Sequence, residues 1–568
     1  MAKHPARRSR VARRSLSFVG IIVVVIVVAG LLAAVAAASP ESDAADAQKN
    51  QALVKSGPMT PEKAKLLGKT NIDFGPNCDT TTQRVKIPSV YAPPCVQPFT
   101  GKNGGATSEG VTDNEIKIVV YTGDPTKDPL LAGQIRAAGA SLDVGPIRDT
   151  WQGYVDIYNK LFEMYGRKIS VEFYLATGPG SDTTAAKADA IAIAEKKPFA
   201  VLGGPAQSTT VFADELAHRG VLCLGTCALA MPEKITEQNK PYVITDTLSP
   251  EQSAQLTAEF IGKQAGKGKA QYAGDDATKN KKRVYGVVHY DTPDGQYKGL
   301  FDSLKSGLKK YGITPKADQS FFLDLSRAQE NARTIVTKMK DAGVTTVIYT
   351  GDPLTPGAVT KEATAQDYHP EWIVGPSVLA DTSIFARTFD QEQWAHAFGV
   401  ALVPGRTIEN INASYYLYNW FHGTPPPNNT YGVISPSVVE FARGVMMAGP
   451  KLTPDTFRDG LFRYPPSGGD AINPKQSWGK HGFWPGTDYY GSDDAGMLWW
   501  DPSAVGEDEI HHVGNGLYRY ADGAKRYTRG KFPAKGQGGL FDTASSVTIF
   551  DQIPPTAPRP DYPSPATG

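Results

Sequence analysis

The sequence predicts an α/β chain whose folded middle is two doubly wound, parallel-sheet lobes. Two observations carry this expectation. Short apolar, β-branched runs alternate with amphipathic stretches of helical length, the pattern of parallel strands joined by crossover helices. The series runs once before residue 250 and restarts after it, and 568 residues are enough for two such units.

The N-terminal 38 residues stand apart from this pattern. Lys3, Arg7, Arg8, Arg10, Arg13 and Arg14 precede an uncharged stretch from Phe18 to Ala38. A basic flank before such a core reads as a signal peptide ending at Ala36-Ala37-Ala38, or as a transmembrane anchor of about 20 residues. Either keeps the N-terminus cytoplasmic and puts the remaining chain outside the cytoplasm. No cysteine directly follows the apolar run, which excludes a lipoprotein anchor. With 59 Lys+Arg against 58 Asp+Glu, nothing in the charge points to a nucleic-acid partner.

Residues 39–112 read as a flexible spacer followed by a cysteine-tied extension. Export favours disulfides among the four cysteines. Cys78 and Cys95 bracket the Pro-rich stretch "CDTTTQRVKIPSVYAPPC", where a bridge would restrict the unfolded chain by ~3 kcal/mol. Cys223 and Cys227 are the natural second pair, although four cysteines permit three connectivities and the sequence does not choose among them. The absence of CxxC and of clustered histidines argues against zinc.

The first lobe is expected over 113–248. "EIKIVVYTG" opens it as a strand, and a helix follows through Trp151, Tyr154, Ile157, Leu161 and Phe162. "KISVEFYLA" is the next strand, and Asp182 is the N-cap of an Ala-rich helix. "FAVLGG" then runs through a small, hydroxyl-rich loop into a helix ending near His218, and "VLCLGT" follows. The second lobe, 249–404, repeats the scheme with the strands "VYGVVHY", "TTVIYTG" and "EWIVGP". Its Lys/Gly-rich stretch "GKGKAQYAGDDATKNKKR" reads as a solvated loop. Residues 405–489 return to the first lobe and 490–545 to the second, with crossovers near 248, 404 and 490. In the aromatic block 481–502, Trp499 and Trp500 are expected to pack a strand beside the core. Residues 546–568 form a Pro-rich tail expected to be disordered.

In open parallel sheets, ligands bind beyond the carboxyl ends of strands. That rule selects 203–210, 226–230, 291–296, 351–355 and 375–379. In the first of these, glycines permit close backbone approach, hydroxyls donate and accept, and the helix N-terminus favours an anionic group. A plainer reading makes Ser208 merely a helix cap. No Walker loop and no GxSxG elbow occurs. Asp493-Asp494 reads as a solvated acidic turn rather than a carboxylate pair, and His511-His512 as opposite faces of a strand. No catalytic residue, metal site or cofactor is expected, and the chain is not expected to be an enzyme.

The order of the segments "VTDNEIKIVVYTGDP", "YGRKISVEFYLATGPGSDTTAAKADA", "PFAVLGGPAQSTTVFADELAHRGVLCLGTCAL", "KRVYGVVHYDTPDGQYKGLFDSLKSGLKKYG", "VTTVIYTGDPLTPGAVTKEA" and "WIVGPSVLA" resembles the type I periplasmic binding proteins, in the leucine/isoleucine/valine-binding branch that serves ABC importers. The resemblance covers roughly residues 111 to 405, and "SPSVVEFARGVMMAG" extends it. It implies a monomer whose two lobes close a cleft on a small polar ligand, an amino acid or related amide or carboxylate, and deliver it to an ABC permease. By position, the carboxylate-gripping loops match Gly204, Ser208 and Thr209 with Cys227, Ala228 and Leu229. The second-lobe loops match Asp291, Gln296, Asp352 and Ser377. Amino-acid binders place an acidic residue for the ligand's ammonium where this chain has Ser377, and Asp352 on the neighbouring loop is the expected substitute. The rival readings are a membrane-anchored ligand-sensing ectodomain and a secreted enzyme using cleft carboxylates.

Overall fold

The structure is a computed structural model that describes residues 40–137, 141–292, 294–377 and 379–567. The expected signal peptide or anchor, 1–38, lies outside them. Among the described residues no helix is long and apolar enough to cross a membrane. The chain divides into compact units of residues 1–52 and 53–568, and both lobes belong to the second.

Helix α1 (Pro40–Ser56) occupies the stretch read as a flexible spacer, which is a correction. Its alanines, lysines and glutamines are strong helix formers, and composition alone had been read as disorder. Beyond it, β1 (Cys78–Asp79) and β2 (Arg84–Val85) pair antiparallel and are tied by the Cys78–Cys95 disulfide. This extension is packed: Val85, Ile87, Ala92 and Val96 are buried in the core of the first lobe.

The first sheet contains β3 (Glu115–Thr122), β4 (Lys168–Leu175), β5 (Ala200–Leu202), β6 (Leu222–Leu224) and β7 (Val243–Ile244). They lie in the order β4-β3-β5-β6-β7, and every pair is parallel. Between them run α2 (Gly145–Leu161), α3 (Thr183–Ala194) and α4 (Thr209–His218). Helix α2 buries Trp151, Tyr154, Val155, Ile157 and Tyr158, one apolar stripe at helical spacing. Asp182 caps α3 by accepting from the Thr184 and Ala185 N–H groups at 2.9 and 3.0 Å.

The second lobe opens with α5 (Pro250–Phe260), started by a Ser249/Gln252 capping box. It continues through β8 (Tyr285–Asp291), α6 (Lys298–Lys310), β9 (Ala317–Phe322), α7 (Ala328–Asp341), β10 (Thr346–Gly351), α8 (Thr355–Ala365), β11 (Glu371–Ser377) and β12 (Ala397–Ala401). These strands are parallel, in the order β12-β11-β10-β8-β9. Alternation buries both faces: Val347 and Tyr349 enter one core while Ile348 enters the other.

The chain then returns to the first lobe, where α9 (Ala413–His422), α10 (Tyr431–Ala448) and α11 (Pro454–Arg463) join its core through Trp420, Phe441 and Phe457. It comes back to the second lobe as β13 (Asp494–Glu507), β14 (Val513–Tyr520) and β15 (Tyr527–Thr528). These strands are antiparallel, so the second sheet is mixed rather than all parallel. The cause is where the chain re-enters: Gly496 pairs with Ala401, the residue at which β12 ends, so β13 has to run back alongside it. Trp499 and Trp500 sit on β13 and enter opposite cores.

Three further expectations are corrected. The C-terminal tail is ordered: Trp420 Nε1 donates to the Tyr562 carbonyl at 2.8 Å, Tyr562 Oη donates to Asp79 at 2.8 Å, and Arg559 lies 3.5 Å over the Tyr416 ring. Its aromatic and cationic side chains find partners on the first lobe, which a Pro-rich composition does not reveal. Asp493 and Asp494 are each only 1% exposed; Asp494 pairs with Arg526 at 2.8 Å, and Asp493 accepts from the Ser477 hydroxyl at 2.6 Å. His511 and His512 lie in the turn between β13 and β14, not on a strand, because His511 takes φ 64° and Asp508 closes the turn by donating its N–H to the His512 carbonyl.

Candidate functional site

The loops at the carboxyl ends of the two parallel sheets meet each other. On the first lobe, β5 ends in Gly203 and Gly204. Gly203 has φ +77°, and a Cβ there would lie 2.2 Å from the Tyr121 carbonyl oxygen. A Cβ on Gly204 would lie 3.1 Å from Cys227 Cα, so the loop is pressed against the 3₁₀ turn Gly225–Ala228. A second disulfide, Cys223–Cys227, ties that turn to β6. Cys227 and Ala228 are fully buried in this turn, and Cys227 backs the Gly204 loop.

From the second lobe, Gln296 reaches across. Its Nε2 donates to the Leu229 and Ala230 carbonyls at 3.0 and 2.9 Å, and its Oε1 accepts from the Thr209 hydroxyl at 3.4 Å. Gln296 is 2% exposed and Thr209 1% exposed, so these contacts are shielded from water. Thus Thr209, Leu229 and Gln296 are brought together, and Gly204 and Cys227 lie directly behind them.

Among the described residues, several polar atoms at the strand ends and loops of the two lobes are buried without a hydrogen-bond partner. On the first lobe these are Thr122 Oγ1 at the end of β3, Ser208 Oγ, and Thr210 Oγ1 in the first turn of α4. On the second they are Asp294 Oδ2, Thr350 Oγ1 on β10, and Ser377 Oγ at the end of β11. Ser208 precedes α4 yet makes no side-chain cap bond, so its hydroxyl is not occupied by the helix start. A buried polar group left without a partner costs about 1–3 kcal/mol, so these atoms are available to hydrogen-bond an outside group.

Two expected residues have other employment. Asp352 accepts from the Leu354 and Thr355 N–H groups at 2.7 and 2.8 Å and from the Thr355 hydroxyl at 2.7 Å. Burial raises its pKa against those favourable bonds. It holds the start of α8 and is not the free carboxylate expected for a ligand's ammonium. Asp291 accepts from the neighbouring Thr292 N–H at 2.9 Å and shapes the loop. The acidic group with an uncommitted oxygen is Asp294, whose other oxygen accepts from the Thr292 hydroxyl at 2.7 Å and the Gln296 N–H at 3.2 Å. An aromatic wall stands beside it: Tyr290 lies 5.6 Å from Tyr297 and 6.0 Å from Phe321, ring to ring. Burial first, and then the nearby Tyr297, Asp352, Asp294 and Asp291, raise the pKa of the Tyr290 hydroxyl.

The sequence reading includes Thr210 and Asp294 in its selected loops, 203–210 and 291–296, without naming them as site residues, and its loops do not reach Thr122 and Thr350. A signal for the last two was present: the pentapeptide Tyr-Thr-Gly-Asp-Pro occurs at 121–125 and again at 349–353. Both copies end a parallel strand, and in both the Asp accepts from the residues that follow, Asp124 from Thr126 and Asp352 from Leu354 and Thr355. Both threonine hydroxyls are left without a partner. Among the described residues, no group of three or more His, Cys, Asp and Glu is placed to hold a metal ion.

No protein-family model matches the chain, and no curated protein matches it. Solved structures do. The branched-chain amino acid transporter substrate-binding protein of Streptococcus pneumoniae, in complex with isoleucine, is 15% identical with a TM-score of 0.45, over 72% of this chain and 100% of that one. An ABC transporter solute-binding protein of R. palustris, in complex with 4-hydroxybenzoate, is 13% identical with a TM-score of 0.49, over 73% and 98%. A periplasmic binding protein of Burkholderia mallei is 13% identical with a TM-score of 0.49, over 75% and 98%. The chain is similar to these periplasmic and solute-binding structures, and its own architecture is α/β with parallel-sheet cores.

Proposed function

We propose that this chain is an extracytoplasmic solute-binding protein that captures a small polar ligand between its lobes and delivers it to an ABC permease. The observation that carries the reading is the set of buried, unpartnered polar atoms contributed by both lobes, Thr122, Ser208 and Thr210 opposite Asp294, Thr350 and Ser377. A ligand held between them would supply the missing hydrogen bonds and would be buried only when the lobes are together. The helix start beside Ser208 favours an anionic or acceptor group, such as a carboxylate or amide carbonyl. The unpartnered Asp294 Oδ2 can accept from a donor group of the ligand. An amino acid or a related amide fits both ends. The chain works as a binder rather than an enzyme, because what the lobes present is donors, acceptors and an aromatic wall. The N-terminal segment keeps it at the outer membrane face or is removed on export.

The test is a thermal-shift screen of amino acids, short amides, sugars and aromatic acids. A ligand at 100 times its Kd should add ~2.7 kcal/mol to stability. A hit that is lost in Ser208→Ala and Asp294→Asn supports the site. A hit that both variants retain at full affinity, or a screen without any hit, removes the support.

A further inference from the structure

The two lobes are joined where carboxyl groups are buried. The first crossover, 245–249, and the third, 489–493, run side by side: the Gly491 N–H donates to the Thr245 carbonyl at 2.7 Å, and the Thr245 N–H donates to the Tyr489 carbonyl at 3.2 Å. The Trp478 indole closes on the same Thr245 carbonyl at 3.0 Å, and the Ser492 hydroxyl donates to the Asp246 carbonyl at 2.9 Å. Any rotation of one lobe against the other has to bend this double strand.

Its carboxyl side chains bond across the junction. Asp488 accepts from the Gln252 amide of α5 at 3.0 Å and from the Tyr490 N–H at 3.0 Å, while its second oxygen is buried without a partner. Asp493 accepts from Ser477 on the first-lobe side, and the adjacent Asp494, at the start of β13, accepts from the Lys475 N–H and pairs with Arg526. From α10, fully buried Glu440 approaches Asp246, with Arg443 as the nearby cation. Arg443 itself is enclosed by Tyr91, Tyr464 and Trp478 at 5.9, 4.6 and 5.1 Å.

We propose that this junction is a proton-linked hinge, in which Asp493 and Asp488 hold the lobes in their closed setting while protonated and release it when they ionise.

Burial raises Asp493, Asp488, Asp246 and Glu440, each against the donors and cations that face it. Burial, together with Asp494, pushes the Asp493 carboxyl up to about 7, against Ser477, Lys475 and Trp484, which favour its ionised form. Burial, then Asp493 and Glu233, raises Asp488 well above the usual range, opposed by the Tyr490 N–H and Gln252. Burial raises Asp246, with Arg443 opposing, and burial with Asp246 raises Glu440. Glu251 in the first turn of α5 and the neighbouring Glu233 are raised by burial as well. Loss of protons therefore leaves like charges a few residues apart in a dry junction, and bending it open admits water to them.

The full chain carrying spin labels at Lys187→Cys on α3 and Lys298→Cys on α6, both exposed side chains, reads the interlobe distance without any ligand. Between pH 6 and 8.5 the open-to-closed ratio should rise, by at most about tenfold per pH unit for each proton released. In Asp493→Asn, an isostere of the protonated acid, the slope should fall by one proton's worth. Asp488→Asn makes the same comparison if Asp493→Asn does not fold. A wild-type distance distribution that does not change with pH overturns the proposal, as does a slope that both variants share with the wild type.

Discussion

The Gln296 side chain of the second lobe accepts a hydrogen bond from the Thr209 hydroxyl of the first at 3.4 Å, in a contact where both residues are almost wholly buried. With the two bonds from its amide to Leu229 and Ala230, Gln296 is a three-point tie between the lobes. Gln296→Ala should loosen the closed arrangement by about 1.5–4.5 kcal/mol, the worth of three net hydrogen bonds. Small-angle scattering of the unliganded protein should show a larger radius of gyration than wild type; an unchanged radius would show that other contacts hold the lobes.

Thr209→Ala removes one of those bonds and should cost about 0.5–1.5 kcal/mol of closure. Ser208→Ala is the contrasting case. Its hydroxyl is fully buried and caps nothing, so the variant should melt at or above the wild-type temperature while losing affinity for a screened ligand. A lowered melt with unchanged affinity would return Ser208 to the role of a helix start.

The two disulfides should differ in weight. Cys78 and Cys95 are 17 residues apart, so replacing both by serine should cost about 3 kcal/mol on the loop-entropy account. Cys223 and Cys227 are 4 apart and close a much smaller loop, so their loss should cost less stability and act mainly on the seat of the Gly204 loop. Denaturant titrations of the two double variants, with ligand affinity measured beside them, separate these effects.

Asp493 gives stability a definite pH direction. Its folded value of about 7 lies above the ordinary carboxylate value of 3.8, so the folded state holds the proton more tightly. The stability it contributes is complete below about pH 3.8 and is lost as pH rises toward 7. Asp493→Asn should flatten the fall of melting temperature over that window. An equally steep fall in the variant would assign the pH dependence to other groups.

Cutting the chain after Asp551 should destabilise the first lobe, because it leaves the Trp420 indole N–H, Asp79 and the Tyr416 ring without Tyr562 and Arg559. A truncated chain that melts with the full one would mean that these contacts are made at no net gain.

The parallel βα series was legible because each unit announces itself locally, through β-branched runs, Asp182 as a cap, and glycines at strand ends. The antiparallel direction of β13 was not, since it depends on where the third crossover delivers the chain. Asp493 and Asp494 read as surface because carboxylates usually are, and only the tertiary arrangement supplies Arg526 and Ser477 to receive them. For the site, the loops were legible from topology, but the division of labour within them was not. Asp352 and Asp294 are both acidic loop residues, and only the folded backbone decides that the first is spent on the start of α8 while the second keeps an oxygen uncommitted.

The three passages between lobes also set the order in which the molecule can be completed. A chain made from its N-terminus has β3 to β7 and α2 to α4 early, but the last helices of that lobe, α9 to α11, arrive only with Arg463, and the second sheet lacks its antiparallel edge until Tyr520. Neither lobe can finish before nearly the whole chain has been synthesised, so both mature together and late. Such a chain remains open and threadable for most of its synthesis, the condition in which a polypeptide can be passed across a membrane before it folds.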